Sequence, residues 1–131
     1  MSESSSKLPA LLKNLSPRLN AGEFVFLTTK EKLPAMMHPL AAFHEWEGES
    51  VVLRVEQAET IGLKHDGNTY AWITLGVLSP LDSVGLTAAV TTALAAEGIP
   101  CNVIAAFHHD HLFVPYGDGK RALKILKDFQ S

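Results

Sequence analysis

The chain has 131 residues, 47% of them apolar and 19% charged, with a formal net charge of −3 and one cysteine. Such a length holds one domain, or two very small ones sharing a core, and the composition fits a packed protein rather than a disordered one. The negative balance argues against a nucleic-acid partner, the lone Cys101 excludes an internal disulfide and any CxxC motif, and no run reaches the roughly 18 apolar residues of a membrane helix.

The first residues, MSESSSK, carry no basic-then-apolar leader, which with the lone cysteine gives a cytoplasmic expectation. Met1 to Lys7 is Ser-rich and is expected to fray. Leu8, Leu11, Leu12 and Leu15 then form a short helical stripe, with Pro9 in its first turn and Pro17 beyond its end. Glu23 to Thr29 is rich in aromatic and β-branched residues and reads as a strand. Residues 30 to 50 carry little periodicity. Pro34 and Pro39 bracket Met36-Met37-His38, which reads as a loop lying over a hydrophobic surface, followed by a possible strand from His44 to Glu47 and a turn at Gly48. Glu45, Glu47 and Glu49 read as exposed charges.

Val51, Leu53 and Val55 alternate with Val52, Arg54 and Glu56, the pattern of a half-buried strand over Ser50 to Glu56. A short helix from Gln57 to Leu63 turns Ala58 and Ile61 inward, and His65-Asp66-Gly67-Asn68 is a turn. From Tyr70 to Leu78 an apolar run reads as a strand with Ile73, Leu75 and Val77 on one face. Leu86, Ala89, Val90, Ala93 and Leu94 then fall at i, i+3, i+4, i+7 and i+8, one apolar helix face. Asp82 or Ser83 is placed to cap that helix and Gly98 to end it. Apolar runs at Ile99–Phe107 and Leu112–Val114 read as two more strands. A last helix presents Ala122, Ile125, Leu126 and Phe129 inward, capped by Asp118, with Lys120, Arg121, Lys124 and Lys127 on a solvated face.

This order is helix, strand, uncertain strand, strand, helix, and then strand, helix, strand, strand, helix. Each half has the makings of a ferredoxin-like βαββαβ unit, yet no segment follows the last helix to serve as a fourth strand. That strand must come from the N-terminal half or from another chain, so the expected architecture is α+β with two interlocked halves, divided near residues 67 and 68, and helices on one face of antiparallel sheets.

Three stretches carry a resemblance to a known family. Ser79 to Val90, Gly98 to Ala106 (with Asn102) and His109-Asp110-His111-Leu112-Phe113-Val114-Pro115 resemble small bacterial proteins of unknown function built from ACT-like domains, similar to the regulatory regions of aspartokinases. Gly22 to Phe26, Glu47-Gly48 and Val51 to Val55 also match. ACT domains are often paired, and many bind an amino acid to regulate an enzyme. The resemblance implies a ligand region at the first strand–helix turn and the following strand: Ser79, Asp82, Ser83, Val84, Gly85, Leu86, Asn102 and Ile104. The usual turn reads Asp-x-Pro-Gly-x-Leu, and Val84 stands where Pro is common.

The expected function is therefore a non-enzymatic, regulatory, amino-acid-binding protein, with no cofactor, acting as a homo-oligomer or on a partner. Two alternatives remain open: a protein-interaction module using an exposed sheet edge, and a small metal-dependent enzyme. For the second, His109, Asp110 and His111 are the weak metal candidates, because strand alternation divides His109 and His111 from His108 and Asp110 rather than collecting them. No nucleophile elbow or phosphate-cradling Gly-rich loop is present.

Overall fold

The longest element is a 13-residue strand, β1 (Pro17–Thr29), and the sheet is built outward from it. A computed structural model describes residues 3–131. A helix, α1 (Glu3–Lys13), precedes β1. It starts earlier than the leucine stripe required, so Pro9 lies inside it rather than in its first turn. Then follow β2 (Ala41–Glu45), β3 (Gly48–Arg54), α2 (Val55–Thr60), β4 (Tyr70–Leu75), α3 (Leu86–Ala96), β5 (Asn102–Ala105), β6 (Asp110–Pro115) and α4 (Gly119–Lys127).

The strands form one antiparallel sheet in the order β2-β3-β1-β4-β6-β5. The missing fourth strand of the C-terminal half comes from the N-terminal half of the same chain. It is the beginning of β1 that supplies it: Pro17 to Asn20 pair with Leu75 to Trp72, while Phe24 to Thr29 pair with β3. The sequence placed the strand only at Glu23 to Thr29, so the part that joins the halves was missed. Between Asn20 and Phe24 the register shifts by a bulge at Ala21-Gly22, which lets one long strand serve two pairings. With β1 and β4 shared, each half completes a four-stranded ferredoxin-like set, β2-β3-β1-β4 on one side and β5-β6-β4-β1 on the other. The halves are interlocked, not beads on a string.

Alternation assigns the two faces. Ala71, Ile73, Leu75, Leu112 and Val114 point to the helices and pack with Leu86, Val90 and Leu94 of α3 and Ala122 and Leu126 of α4. All three α3 positions are at most 2% exposed, as the i, i+4, i+8 spacing required. Leu8, Leu11 and Leu12 of α1 close the same cluster from one end. Over the N-terminal half the cover is thinner: Val25, Val51 and Leu53 meet Ala58 of α2, with Leu33 and Met37 from the 30–40 loop at the margin. That loop occupies the place of a first helix, and it does pack on apolar surface.

Several boundaries differ from the sequence reading. β2 runs Ala41–Glu45, so Trp46 and Glu47 form the turn. α2 starts at Val55, because Gln57 Oε1 accepts the Arg54 backbone N–H (2.9 Å) and ends β3 there. β5 is only four residues long, since Pro100 donates no ladder bond and residues 106–109 turn back toward β6. α3 ends as expected, with Gly98 at φ +74° and the Gly98 and Ile99 amides donating to Ala95 and Leu94 carbonyls (2.9 and 3.0 Å), a Schellman closure.

Candidate functional site

The segment between β4 and α3, residues 76–85, leaves the sheet at the shared β1–β4 seam. Its start is fixed by the backbone: the Gly76 and Val77 amides donate to the Ser16 and Leu15 carbonyls (2.9 and 3.1 Å). The Ser83 amide donates to the Pro80 carbonyl (3.0 Å), which closes a tight turn around Leu81 and Asp82. Neither Asp82 nor Ser83 caps α3. The N-cap is Gly85, with φ +99° and no side-chain cap bond. A left-handed backbone there turns the chain into the helix directly, without the extended Ncap geometry that an Asp or Ser oxygen needs. The Asp82 carboxylate is thus released from helix capping, on an exposed turn.

Two depressions flank this turn. One, of about 400 Å³, lies between α1 and the loop and is lined by Lys7, Leu11, Asn14, Val77, Leu78, Asp82 and Ser83, among others. The other, of about 510 Å³, is open and lined by Leu78 to Asp82 together with Phe107 and His108. Gly85 itself faces α1: a Cβ there would stand 3.0 Å from Leu8 Cδ2. The close backbone approach that this glycine permits is taken by α1.

The structure brings Ser79, Asp82, Ser83, Val84 and Gly85 together on one loop, with Val84 largely exposed and Leu86 buried beneath in the core. It does not bring Asn102 and Ile104 to them. Ile104 packs on the opposite sheet face beside Phe24, Val52 and Phe113, and lines a groove there with Phe26 and Phe43. Asn102, two residues before it on β5, shares that face. The contribution of Lys7 and Asn14 was missed, since a polar stripe on an N-terminal helix carries no signal of what it will lie against.

The histidine cluster does not converge, and His109 stands before β6 (Asp110–Pro115) instead of sharing a strand face with His111. His109 Nδ1 lies 3.0 Å from the Leu75 carbonyl and donates to it. His111 points to the helix-free face, where its Nδ1 accepts from Trp72 Nε1–H (3.0 Å) and lies 3.1 Å from Thr74 Oγ1. Trp72 can only donate, so the neutral His111 ring carries its proton on Nε2. Burial holds the His111 imidazole below its usual range, His109 adds to that, and Asp110 opposes it. Burial likewise raises the Asp110 carboxyl, with His111 pulling the other way. Among the described residues no group of three His, Cys, Asp or Glu side chains is placed to hold a metal ion. Cys101 is packed against the helix-side core, and burial pushes its thiol to about 11. Asp118, the other expected cap, makes no cap bond and instead pairs with Arg121 Nη2 (3.2 Å), whose Nη1 donates to the Glu97 carbonyl at the end of α3 (2.9 Å).

Two family models, each described as an ACT domain, match residues 4–70 and 69–128. A crystal structure from Vibrio cholerae, of a protein of unknown function described as a possible transport protein, is 40% identical, with a TM-score of 0.87 over 98% of this chain and 100% of that one. A protein of Agrobacterium tumefaciens is 19% identical with a TM-score of 0.60, covering 87% of each chain. The regulatory subunit of aspartate kinase from Thermus thermophilus, in a ligand-free form, is 10% identical with a TM-score of 0.59, over 86% of this chain and 94% of that one. These last two likenesses are of fold. Among curated proteins none matches the chain.

Proposed function

The chain belongs to the ACT-domain family, and from that premise we propose that it is a non-enzymatic regulatory protein that binds an α-amino acid beside the β4–α3 turn. The ligand-binding half in this proposal is residues 68–131, with residues 1–67 a degenerate partner half, and the setting is cytoplasmic. The observation that supports it best is the cleft between α1 and the loop. Lys7 and Asp82 line the same space, together with Asn14, Ser83 and an apolar wall of Leu11, Val77 and Leu78. A cationic and an anionic group over an apolar floor match a zwitterion: Asp82 receives the ammonium, and Lys7 receives the carboxylate. Ser79 and Val84 border the same turn.

The test is a thermal melt with the proteinogenic amino acids at millimolar concentration. Ligand at about a hundred times its dissociation constant adds roughly 2.7 kcal/mol of stability, a rise of roughly 10 °C for a chain of this size. Asp82→Ala should abolish the shift while leaving the ligand-free melt in place, because the exposed carboxylate caps nothing. If no amino acid moves the wild-type melt, or if Asp82→Ala shifts equally, the reading is wrong.

A further inference from the structure

The helix-free side of the sheet carries a row of donors with no acceptor to meet them. In the strand pairing, Arg18 of β1 stands opposite Thr74 of β4, and Thr74 stands opposite His111 of β6. Asn20 Nδ2 donates to Thr74 Oγ1 (2.9 Å), and the His111 ring lies beside that hydroxyl, so Asn20, Thr74 and His111 share one face. Arg18 is two residues before Asn20 on the same strand and ahead of the bulge, and alternation turns it to that face as well.

The hydrogen bonds in this row run one way. Asn20 donates to the Thr74 hydroxyl, which is left to donate its own proton to His111 Nδ1 (3.1 Å), and Trp72 Nε1–H donates to the same nitrogen (3.0 Å). Two donors on Nδ1 put the proton of the neutral ring on Nε2, outside the network. No buried side-chain nitrogen or oxygen lacks a partner among the described residues, so the unpaired Nε2–H is open at the surface. Arg18 is exposed beside it, and no strand carboxylate stands near. Asp110 is on the other face by alternation. Glu45 is at the far end of the sheet, on the edge strand β2, where it accepts from Ser50.

We propose that this row binds a carboxylic acid that has an aromatic or apolar body and no amino group. The carboxylate accepts from His111 Nε2–H and from the Arg18 guanidinium. Two strand spacings separate their backbones, about 10 Å, and the long Arg18 side chain can lean over Thr74 to the same point, where a charge-assisted fork suits a carboxylate. The body rests on Trp72 and Ile104, both half-buried beside His111: the indole lies 5.8 Å from the imidazole, centroid to centroid, and Ile104 is the β5 partner of His111. An α-amino acid is excluded because its ammonium would be brought against cationic and donor groups with no anion to receive it. The row lies on the opposite side of the sheet from the α1–loop cleft, so it stands or falls independently of amino-acid binding there.

A Trp46→Phe chain keeps Trp72 as its sole tryptophan, and Trp46 is fully exposed, so emission becomes a local probe in an intact fold. Phenylpropionate, titrated to millimolar concentration, should change that emission saturably. It should also move the His111 Nε2–H signal in a nitrogen–proton NMR spectrum, assigned by its loss in His111→Gln. Arg18→Gln should weaken binding by about tenfold or more, the factor for losing a hydrogen bond to a charged group, and Arg18→Lys should recover part of it, with circular dichroism confirming both folds. L-Phenylalanine, which adds an ammonium to the same body, and acetate, which lacks the body, should each leave the Trp72 and His111 signals unmoved over the same range. No saturable change with phenylpropionate overturns the proposal, as does an Arg18→Gln affinity equal to that of the parent chain. Phenylalanine or acetate moving both signals as strongly as phenylpropionate overturns the ligand class.

Discussion

The two halves share strands and topology but not cover, and the difference shows what a sheet of this kind needs. Over the C-terminal half, α1, α3 and α4 bury a continuous cluster that runs from Leu15 through Ile73 to Leu126. Over the N-terminal half, a six-residue helix and an irregular loop bury only Val25, Val51, Leu53 and Ala58 among the described residues. The thin half is tolerable because its strands β1 and β3 are stapled to the thick half through the β1–β4 seam. One half supplies a core and the other completes its sheet.

The sharpest way to break that picture is to separate the halves. A chain beginning at Asn68 lacks β1 and leaves the inner edge of β4 and its apolar flanks open. It should fail to fold cooperatively, with no sigmoidal urea transition and a strong tendency to aggregate. A cooperative monomer would show that β1 is dispensable to the C-terminal unit.

Core truncations compare the halves directly. Leu94→Ala removes a fully buried α3 side chain from the cluster that α1 and α4 also cover and should cost about 2–5 kcal/mol by denaturant titration. Leu53→Ala, equally buried but under the single short α2, should fall near about 2 kcal/mol, because thinner cover relaxes into the gap more readily. Equal losses would mean that the halves behave as one core.

Glycines at the two ends of α3 give smaller effects. Gly98→Ala meets open space at φ +74°, so only left-handed strain of about 1–2 kcal/mol is expected. Gly85→Ala adds to the same strain a contact with Leu8 and should be the worse of the two. A Gly85→Ala loss no greater than that of Gly98→Ala would show that α1 yields freely at this contact.

The smallest expected effect is a pH dependence. The folded state holds His111 below its usual range, so neutral His111 is favoured on folding. Its contribution to stability is complete above about pH 6.5, the unfolded value, and is lost as pH falls below it. Melting temperatures between neutral and mildly acidic pH should therefore decline less in His111→Gln than in the wild type. Parallel pH profiles for the two proteins would remove His111 from the account.

Much of this was written in the order of side chains. The period of α3 put Leu86, Val90 and Leu94 in the core, the pattern of Ile73 and Leu75 set the inner face of β4, and a second half one strand short of a ferredoxin-like unit called for a borrowed strand. These depend on local periodicity and chain connectivity, which a sequence records directly. What only the tertiary structure decided is where distant pieces meet. That Pro17–Asn20, with only Phe24 of the expected Glu23–Thr29, joins the halves depends on a bulge, and that Asn102 and Ile104 lie across the sheet from Asp82 depends on which face each strand turns toward the helices. That α1 covers Gly85 depends on packing between segments more than seventy residues apart in the chain, where shape selects the neighbour and no local pattern foretells it.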